Sequence, residues 1–594
     1  MDAASDGVNY FLYKHPEVRP ALLNRFEPWF SLMRTNGSIS ATQTGGINHQ
    51  DMGNLYKIGD AAISLNVLPV TGHQLPATMQ RDEVGSNGFA LSPAKTASKN
   101  AIIYINPHVT FYYRTEMQMI SNEGLNAYGG VTWGTFFVFQ GFNEHCGWMH
   151  TTSSADVADA YKEKVEKRNG ALVYLYNGKW LPVKTRQVTI RYKEDGILKK
   201  QTFTTYATGH GPVMGSRDGV WLSLKENNRS LTALMQSWLR TKAKGFEDFK
   251  KVMDMRSNSS DNTVFADDKG NIAYWHGNFI PKRDRKIDWS EPVDGTTSAT
   301  EWKGLHPLDE MVHVYNPASG WIQNCNSTPF TVSGASSPKK ENYPTYMAPD
   351  EENYRAINAE RLLSEAKDIT IDNLIKHIGY SHYLSAFEVL LPPLFSAYDE
   401  LAPSDSLRTI LQEPISLVRQ WDRNSSVSSV ATTLAIEWAS RSGRMTLPAE
   451  KLKAFLETVS DLEKRFGSWK IAWGEVNRYQ RVGESENFDD SKPSLPSGLA
   501  SSALGSLPSF VARRYPGTNK RYGYNGNSFI ACVEFGKKVH AKSIITGGQS
   551  FDPSSKHFTD QAQMFLDGDF KDVLFYKEDV KKHVERQYHP GEMR

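Results

Sequence analysis

An α+β fold is predicted by three observations along this chain of 594 residues. Residues 86 to about 340 are rich in strand signals, residues 351 to about 480 switch to a helical period, and strand signals return at Phe529–Phe535 and Ile544–Ile545. A β-rich core with a helical insertion and returning strands implies α+β layering. The length exceeds one simple core, so two or more structural units or one large layered domain are expected.

The elements follow in order. Residues 7–35 read as helix, with Val8, Phe11, Leu12, Leu22, Leu23 and Phe26 spaced near 3.6. Residues 36–85 read as a linker, through Asn36-Gly37-Ser38, Thr42-Gln43-Thr44-Gly45-Gly46 and the aperiodic stretch from Pro69 to Pro76. Ala101-Ile102-Ile103-Tyr104-Ile105 is a continuous apolar run, as for a strand covered on both faces. Asn177-Gly178, Lys269-Gly270-Asn271 and Glu194-Asp195-Gly196 each carry hairpin-turn chemistry between strand-like runs. The helical stretch includes 356–366, 374–384 and 452–466, with Thr370 and Ser404 as caps. Ser491–Ser509 reads as a Ser/Pro-rich linker, and no internal repeat is present.

Composition removes several function classes. Lys and Arg number 68 against 66 Asp and Glu, and the densest basic cluster, Lys282-Arg283-Asp284-Arg285-Lys286, is broken by an acid. Nucleic acid is therefore not an expected partner. No 18-residue apolar run exists, so no membrane span is predicted. Three cysteines without C-x-x-C spacing argue against a zinc site or a disulfide framework. His145, Cys146 and His150 sit in one segment, but a strand puts 145 and 146 on opposite faces, so no metal is expected there. The run Phe136–Phe139 and Trp133 reads as core. The first residues, Met1-Asp2-Ala3-Ala4-Ser5-Asp6, have neither the basic nor the apolar region of a signal peptide.

Ser86 stands where the linker stops and strand-like sequence begins, in Asp82-Glu83-Val84-Gly85-Ser86-Asn87-Gly88-Phe89. Taken alone, it reads as a loop serine before a strand. Cleavage of the Gly85–Ser86 bond would change that, because Ser86 would gain an α-amino group beside its hydroxyl. Such an amine has an ordinary pKa of about 7.7–8.0. One residue would then supply both nucleophile and base.

Four separated segments resemble the penicillin acylase family of N-terminal-nucleophile hydrolases. They are Ser86-Asn87-Gly88-Phe89-Ala90-Leu91 with Asn106-Pro107-His108; 141–152, Gly-Phe-Asn-Glu-His-Cys-Gly-Trp-Met-His-Thr-Thr; 302–304 with 314–329, which ends Asn324-Cys325-Asn326-Ser327-Thr328-Pro329; and Gly547-Gly548-Gln549-Ser550 continuing to Gln561. They lie in family order and cover most of residues 86–594. The resemblance implies a four-layer αββα core of two antiparallel sheets, with the helical insertion at about 351–480. It also implies one precursor that cuts itself. Residues 1–35 would be the tail of an α chain, 36–85 the spacer region, and 86–594 the β chain of a heterodimer. Family α chains are longer and members are exported, so a truncated N-terminus and a periplasmic or secreted location are expected.

The same resemblance assigns roles. Ser86 would attack an acyl amide of a small-molecule substrate, of penicillin type or N-acyl homoserine lactone type, through an acyl-enzyme. Asn326 would donate its side-chain N–H to the oxyanion and Thr152 its backbone N–H. His108 would orient the serine or its amine, and Arg355 would hold the site or the precursor. Apart from the resemblance, the aromatic run Phe111-Tyr112-Tyr113 after His108 is a candidate lining for an acyl pocket. One structural calcium ion, with no organic cofactor, would be held by Asp156, Asp159 and the carbonyls of Ala158 and Pro281. A further family aspartate has no counterpart near Tyr343–Met347, and the two aspartates also read as caps of a helix starting near Val157. The alternative to an enzyme is a non-catalytic or unprocessed member acting as a binding scaffold.

Overall fold

The strand β1 (Gly85–Leu91) is wholly buried, and its residue sizes explain how. Ser86, Gly88 and Ala90 fall on one face of the pleat, and Asn87, Phe89 and Leu91 on the other. The small face admits a second sheet at close range. A Cβ at Gly88 would lie 2.9 Å from Met149 Cγ and 3.1 Å from Val264 Cγ2. Phe89 and Leu91 instead join a core beneath helices. β1 pairs antiparallel with β2 (Ala101–Thr110), Gly88 opposite Ile105, and on its other edge with Trp321–Asn324, Gly88 opposite Asn324.

This computed structural model describes residues 1–20, 23–33, 45–56, 85–132, 134–226, 231–258, 261–443, 445–483, 486–589 and 592. Among them β1 and β2 are central in a ten-stranded sheet, antiparallel except where Asn477–Tyr479 joins Arg521–Asn527. A seven-stranded antiparallel sheet from Arg114–Ser121 to His313–Tyr315 lies against it. Ile103, Ile105, Met149, Val264, Phe529 and Val533 fill the space between the two. Outside the first sheet, the helix Tyr354–Glu365, the π-helical turn Leu374–Gly379 and the helix Ala562–Asp567 bury Ala356, Leu363, Ile378 and Phe565. Outside the second, Phe249 and Met253 of the helix Phe246–Met253 pack on Trp148, Phe265 and Trp275. The order is helix, sheet, sheet, helix.

Four helices, Phe387–Asp399, Ser406–Arg419, Val430–Ser442 and Pro448–Phe466, build a separate core within the insertion. Glu437 clamps that core to the first sheet. Its carboxylate lies 2.7 Å from Arg521 Nη1, on the strand Arg521–Asn527, and contacts Arg465 Nη2. Burial works to raise its pKa, but Arg521 and Arg465 together hold it down, from 4.5 to about 2. A lowered pKa means stability that is present above the ordinary carboxylate range and lost as pH falls from 4.5 towards 2. Glu437→Gln is expected to cost about 3 kcal/mol at pH 7, because Arg465, nearly buried, and Arg521, partly buried, are left beside a neutral amide. Denaturant melts should show that gap shrinking below about pH 4.5 and closed near pH 2.

Several sequence expectations meet the structure directly. The three hairpins form as read, and Asn177, Gly178, Asp195 and Gly196 all have positive φ, which suits tight turns between twisted strands. The helix read over 7–35 is instead an α-helix at Asp2–Lys14 and a 3₁₀ turn at Pro28–Met33. Asp405, not Ser404, caps Ser406–Arg419 by accepting from the Leu407 N–H. Most of the stretch 36–85 lies outside the described residues. Besides Gly85, its described part is 45–56, which holds the helix His49–Tyr56, where Asp51 pairs with Arg217 at 2.7 Å. The Ser/Pro-rich stretch 491–509 is no exposed linker. Ser497, Ser502, Ser506 and Ser509 are fully buried, Ser506 Oγ donating to the Pro508 carbonyl and Ser509 Oγ to Ser502 Oγ. No described helix is long and apolar enough to cross a membrane.

Candidate active site

Ser86 is buried at the head of β1, opposite Pro107. Its hydroxyl donates to the Gly85 carbonyl at 2.5 Å, so it rests on the peptide group that joins it to the preceding chain. Its backbone N–H donates to Asn326 Oδ1 at 2.6 Å. Its carbonyl accepts from Arg355 Nη1 at 3.0 Å. A side chain at Gly85 would press on the site, since a Cβ there would lie 3.0 Å from both Arg355 Nη2 and Asn326 Oδ1.

Asn326 is placed by the end of a strand. Trp321–Asn324 stops two residues earlier, and the Asn326 side chain takes the Ser86 N–H beyond the end of that ladder. Its φ of 61° is left-handed, a region asparagine tolerates better than most residues. Oδ1 accepts from Ser86 N–H and Arg355 Nη2, while Nδ2 donates to the Thr152 carbonyl at 2.8 Å. These partners fix which end of the amide is oxygen. Thr152 ends the strand Cys146–Thr152, opposite Asp261. Asn326, Thr152 and Ser86 are thus brought together by three strands from two sheets.

Arg355 is fully buried in the first turn of Tyr354–Glu365, a helix capped by Asn353. It donates to Ser86 O, Asn87 Oδ1 and Asn326 Oδ1, tying the first two residues after the Gly85–Ser86 bond and the acceptor of the Ser86 N–H to one guanidinium. His108 stands opposite Gly85 on β2. Alternation along β2 sends it, with Tyr104, to the helix face, whereas Ser86 follows Gly88 and Ala90 to the face between the sheets. Neither ring nitrogen of His108 has a hydrogen-bond partner among the described residues. Burial first, then Arg355 and Arg114, hold its pKa well below 6.5, so the ring is neutral.

Two further residues complete the site, and the sequence reading passed them over. Asn324 Oδ1 accepts from Thr151 Oγ1 at 2.5 Å and from Asn326 N–H at 3.0 Å, joining the Thr152 strand to the Asn326 turn. Asn87 holds Arg355 through Oδ1 and the Leu507 carbonyl through Nδ2. The spacing Asn324-Cys325-Asn326 was the available signal. Of the aromatic run after His108, Phe111 is core against Phe510 and Phe565, and the Tyr112 hydroxyl bonds Tyr479 at 3.0 Å. Phe137 and Phe139 are buried, and Trp133 lies outside the described residues. His150 is buried against Arg240, while His145 pairs with Asp268 at the surface.

The residues assigned to calcium do not fit that ion. Arg283 stands between the carboxylates, with Nε 2.8 Å from Asp159 Oδ2 and Nη2 3.2 Å from Asp156 Oδ1, and Nη1 donates to the Asp156 carbonyl. Calcium needs six to eight oxygens. Among the described residues, no group of three or more His, Cys, Asp and Glu is arranged to hold a metal. Burial lifts the Asp156 carboxyl to about 7, against the pull of Arg283 and with a further push from Asp159. No helix starts near Val157; Ala158 instead leads into the strand Asp159–Glu163, and Pro281 bridges to Leu305.

Comparison with known proteins follows the same lines. A family model described as penicillin amidase matches residues 1–582. Penicillin G acylase of Escherichia coli is 26% identical over 353 residues, 57% of this chain and 39% of that protein. An acyl-homoserine lactone acylase (PvdQ) of Pseudomonas fluorescens is 20% identical over 582 residues, 86% of this chain and 72% of that protein. The match therefore spans well under half the length of the first relative. Among solved structures, a thermostable penicillin G acylase from Alcaligenes faecalis superposes with a TM-score of 0.60 at 17% identity, covering 85% of this chain and 99% of that one. That likeness shows the fold.

Proposed function

The chain belongs to the penicillin amidase family, and on that footing we propose that it is an amidohydrolase whose nucleophile is Ser86, freed by cleavage of the Gly85–Ser86 bond. The observation that carries this reading is the convergence on one peptide group. The Ser86 hydroxyl lies on the Gly85 carbonyl, Asn326 holds the nitrogen of the same bond, and Arg355 grips the next carbonyl. Cleavage consumes one water and leaves a carboxyl on Gly85 and an amine on Ser86.

In the cut chain Ser86 Oγ adds to the carbonyl of an acyl amide while the amine, directly or through a water, takes the hydroxyl proton. That proton passes to the departing amine, and water then releases the acyl group from Oγ. Asn326 Nδ2 is the side-chain donor for the oxyanion, which competes for it with the Thr152 carbonyl. The substrate class is a small acylated amine, with penicillin-type and N-acyl homoserine lactone-type amides the leading candidates. The heterodimer of the two cleavage products is the working form.

Mass spectrometry of purified full-length protein should find a fragment beginning Ser-Asn-Gly-Phe. Hydrolysis of a panel of chromogenic amides graded by acyl length should then fall as pH drops below the amine pKa of about 7.7–8.0. His108, held neutral, adds no second limb. An uncut chain without amidase activity overturns the proposal, and a profile flat to pH 5 overturns the amine as base.

A further inference from the structure

We propose that Arg283 is a built-in structural cation: its guanidinium supplies, from the chain itself, the positive charge that fixes the segment after Thr152, and the fold needs no calcium there. Arg283 is 4% exposed and reaches across more than a hundred residues of sequence to Asp156 and Asp159. It binds that segment at three points: both carboxylates and the Asp156 carbonyl. Trp302 Nε1 also donates to Asp159 Oδ2, filling another lone pair of the second carboxylate.

The walls of the site select the same kind of cation. The guanidinium carbon lies 5.2 Å from the Tyr346 ring centroid, 5.6 Å from Trp289 and 6.0 Å from Trp302. A guanidinium is planar and weakly hydrated, and it is stabilised by aromatic faces and bidentate oxygens alike. A calcium ion in the same place would face rings where it needs oxygens. Access is not the obstacle. An open cleft of about 540 Å³, lined by Asp156, Ala158, Trp289 and Tyr346, leads to the cluster.

The position gives the clamp a purpose. Residues 153–158 have no regular secondary structure and connect Thr152 to the strand Asp159–Glu163. Ser154 N–H is held by Asp350 Oδ1 at 2.6 Å, and Arg283 holds the far end. The two anchors keep Thr152 at its distance from Asn326.

Thermal melting of the full chain in EGTA, and again in added calcium chloride, tests the proposal without reference to activity. The expected result is one melting temperature in both, with no calcium binding by titration calorimetry. A rise in calcium, a fall in EGTA or stoichiometric binding abolished by Asp156→Asn overturns it. Arg283→Met, which keeps volume and removes charge, should lower the melting temperature by roughly 5 °C. The triple variant Arg283→Met/Asp156→Asn/Asp159→Asn, with no charge left to compensate, should recover most of that loss. An Arg283→Met protein that melts with the wild type also overturns it. If Arg283→Met does not fold, the EGTA and calcium measurements on the unaltered chain decide alone.

Discussion

Ser86→Ala is expected to give a single uncut chain with normal melting behaviour and amidase turnover reduced on the order of 10⁶-fold, the scale of losing a catalytic serine. The two halves of that expectation rest on different features. The fold should survive, because alanine matches the small residues already on that face of β1 and, among the described residues, the hydroxyl bonds only the adjacent carbonyl. Losing that bond costs about 1 kcal/mol. On the proposed mechanism activity should vanish twice over, since the hydroxyl would be needed both to open the Gly85–Ser86 bond and to attack substrate. Gel analysis, intact mass and a melting curve on one preparation separate the outcomes. Fragments in the Ser86→Ala protein would mean that another group, or a contaminating protease, cuts the chain.

Asn326 carries the second large effect. Asn326→Ala should lower kcat by about 10²–10³-fold, the loss seen when one oxyanion donor is removed. Cleavage should slow as well, because the Ser86 nitrogen loses its acceptor. A stability loss comes with it, since alanine at φ 61° costs about 1–2 kcal/mol. Asn326→Gly separates the two. Glycine adopts this backbone freely, so its melting temperature should exceed that of the alanine protein while its rate stays equally low. Equal rates for glycine and wild type would remove Asn326 from the chemistry and leave it a turn residue.

The parts of this molecule that were legible in sequence are those whose cause is local. Asn177-Gly178 and Asp195-Gly196 need only their own backbone preferences to turn a hairpin, and both do. The run Ala101–Ile105 shows its burial by lacking any polar residue. Ser86, Asn326, Thr152 and Arg355 were nameable because segments around them carry a resemblance, and the structure places them side by side. What stayed hidden depends on distant partners. The serines from 497 to 509 look like linker because composition cannot reveal that buried carbonyls and hydroxyls receive them. Arg283 sits in a charged stretch that resembles any solvated surface, and only folding brings Asp156 and Asp159 to it. The resemblance puts His108 beside Ser86, whereas pleat alternation along β2, where it stands opposite Gly85, sends its ring to the other face.

A cut polypeptide ordinarily gains freedom at its new ends, about 1–2 kcal/mol of backbone entropy for each residue released. The grip on Ser86 denies it that freedom. β2 lies along one edge, Asn326 takes its nitrogen, and Arg355 takes its carbonyl, the last two from positions 240 and 269 residues further along the chain. A terminus made there would be immobile from the moment it formed. The entropy of positioning nucleophile and base is then spent while the uncut chain folds, by topology that cleavage leaves intact, so the newly cut enzyme would need no search to become active.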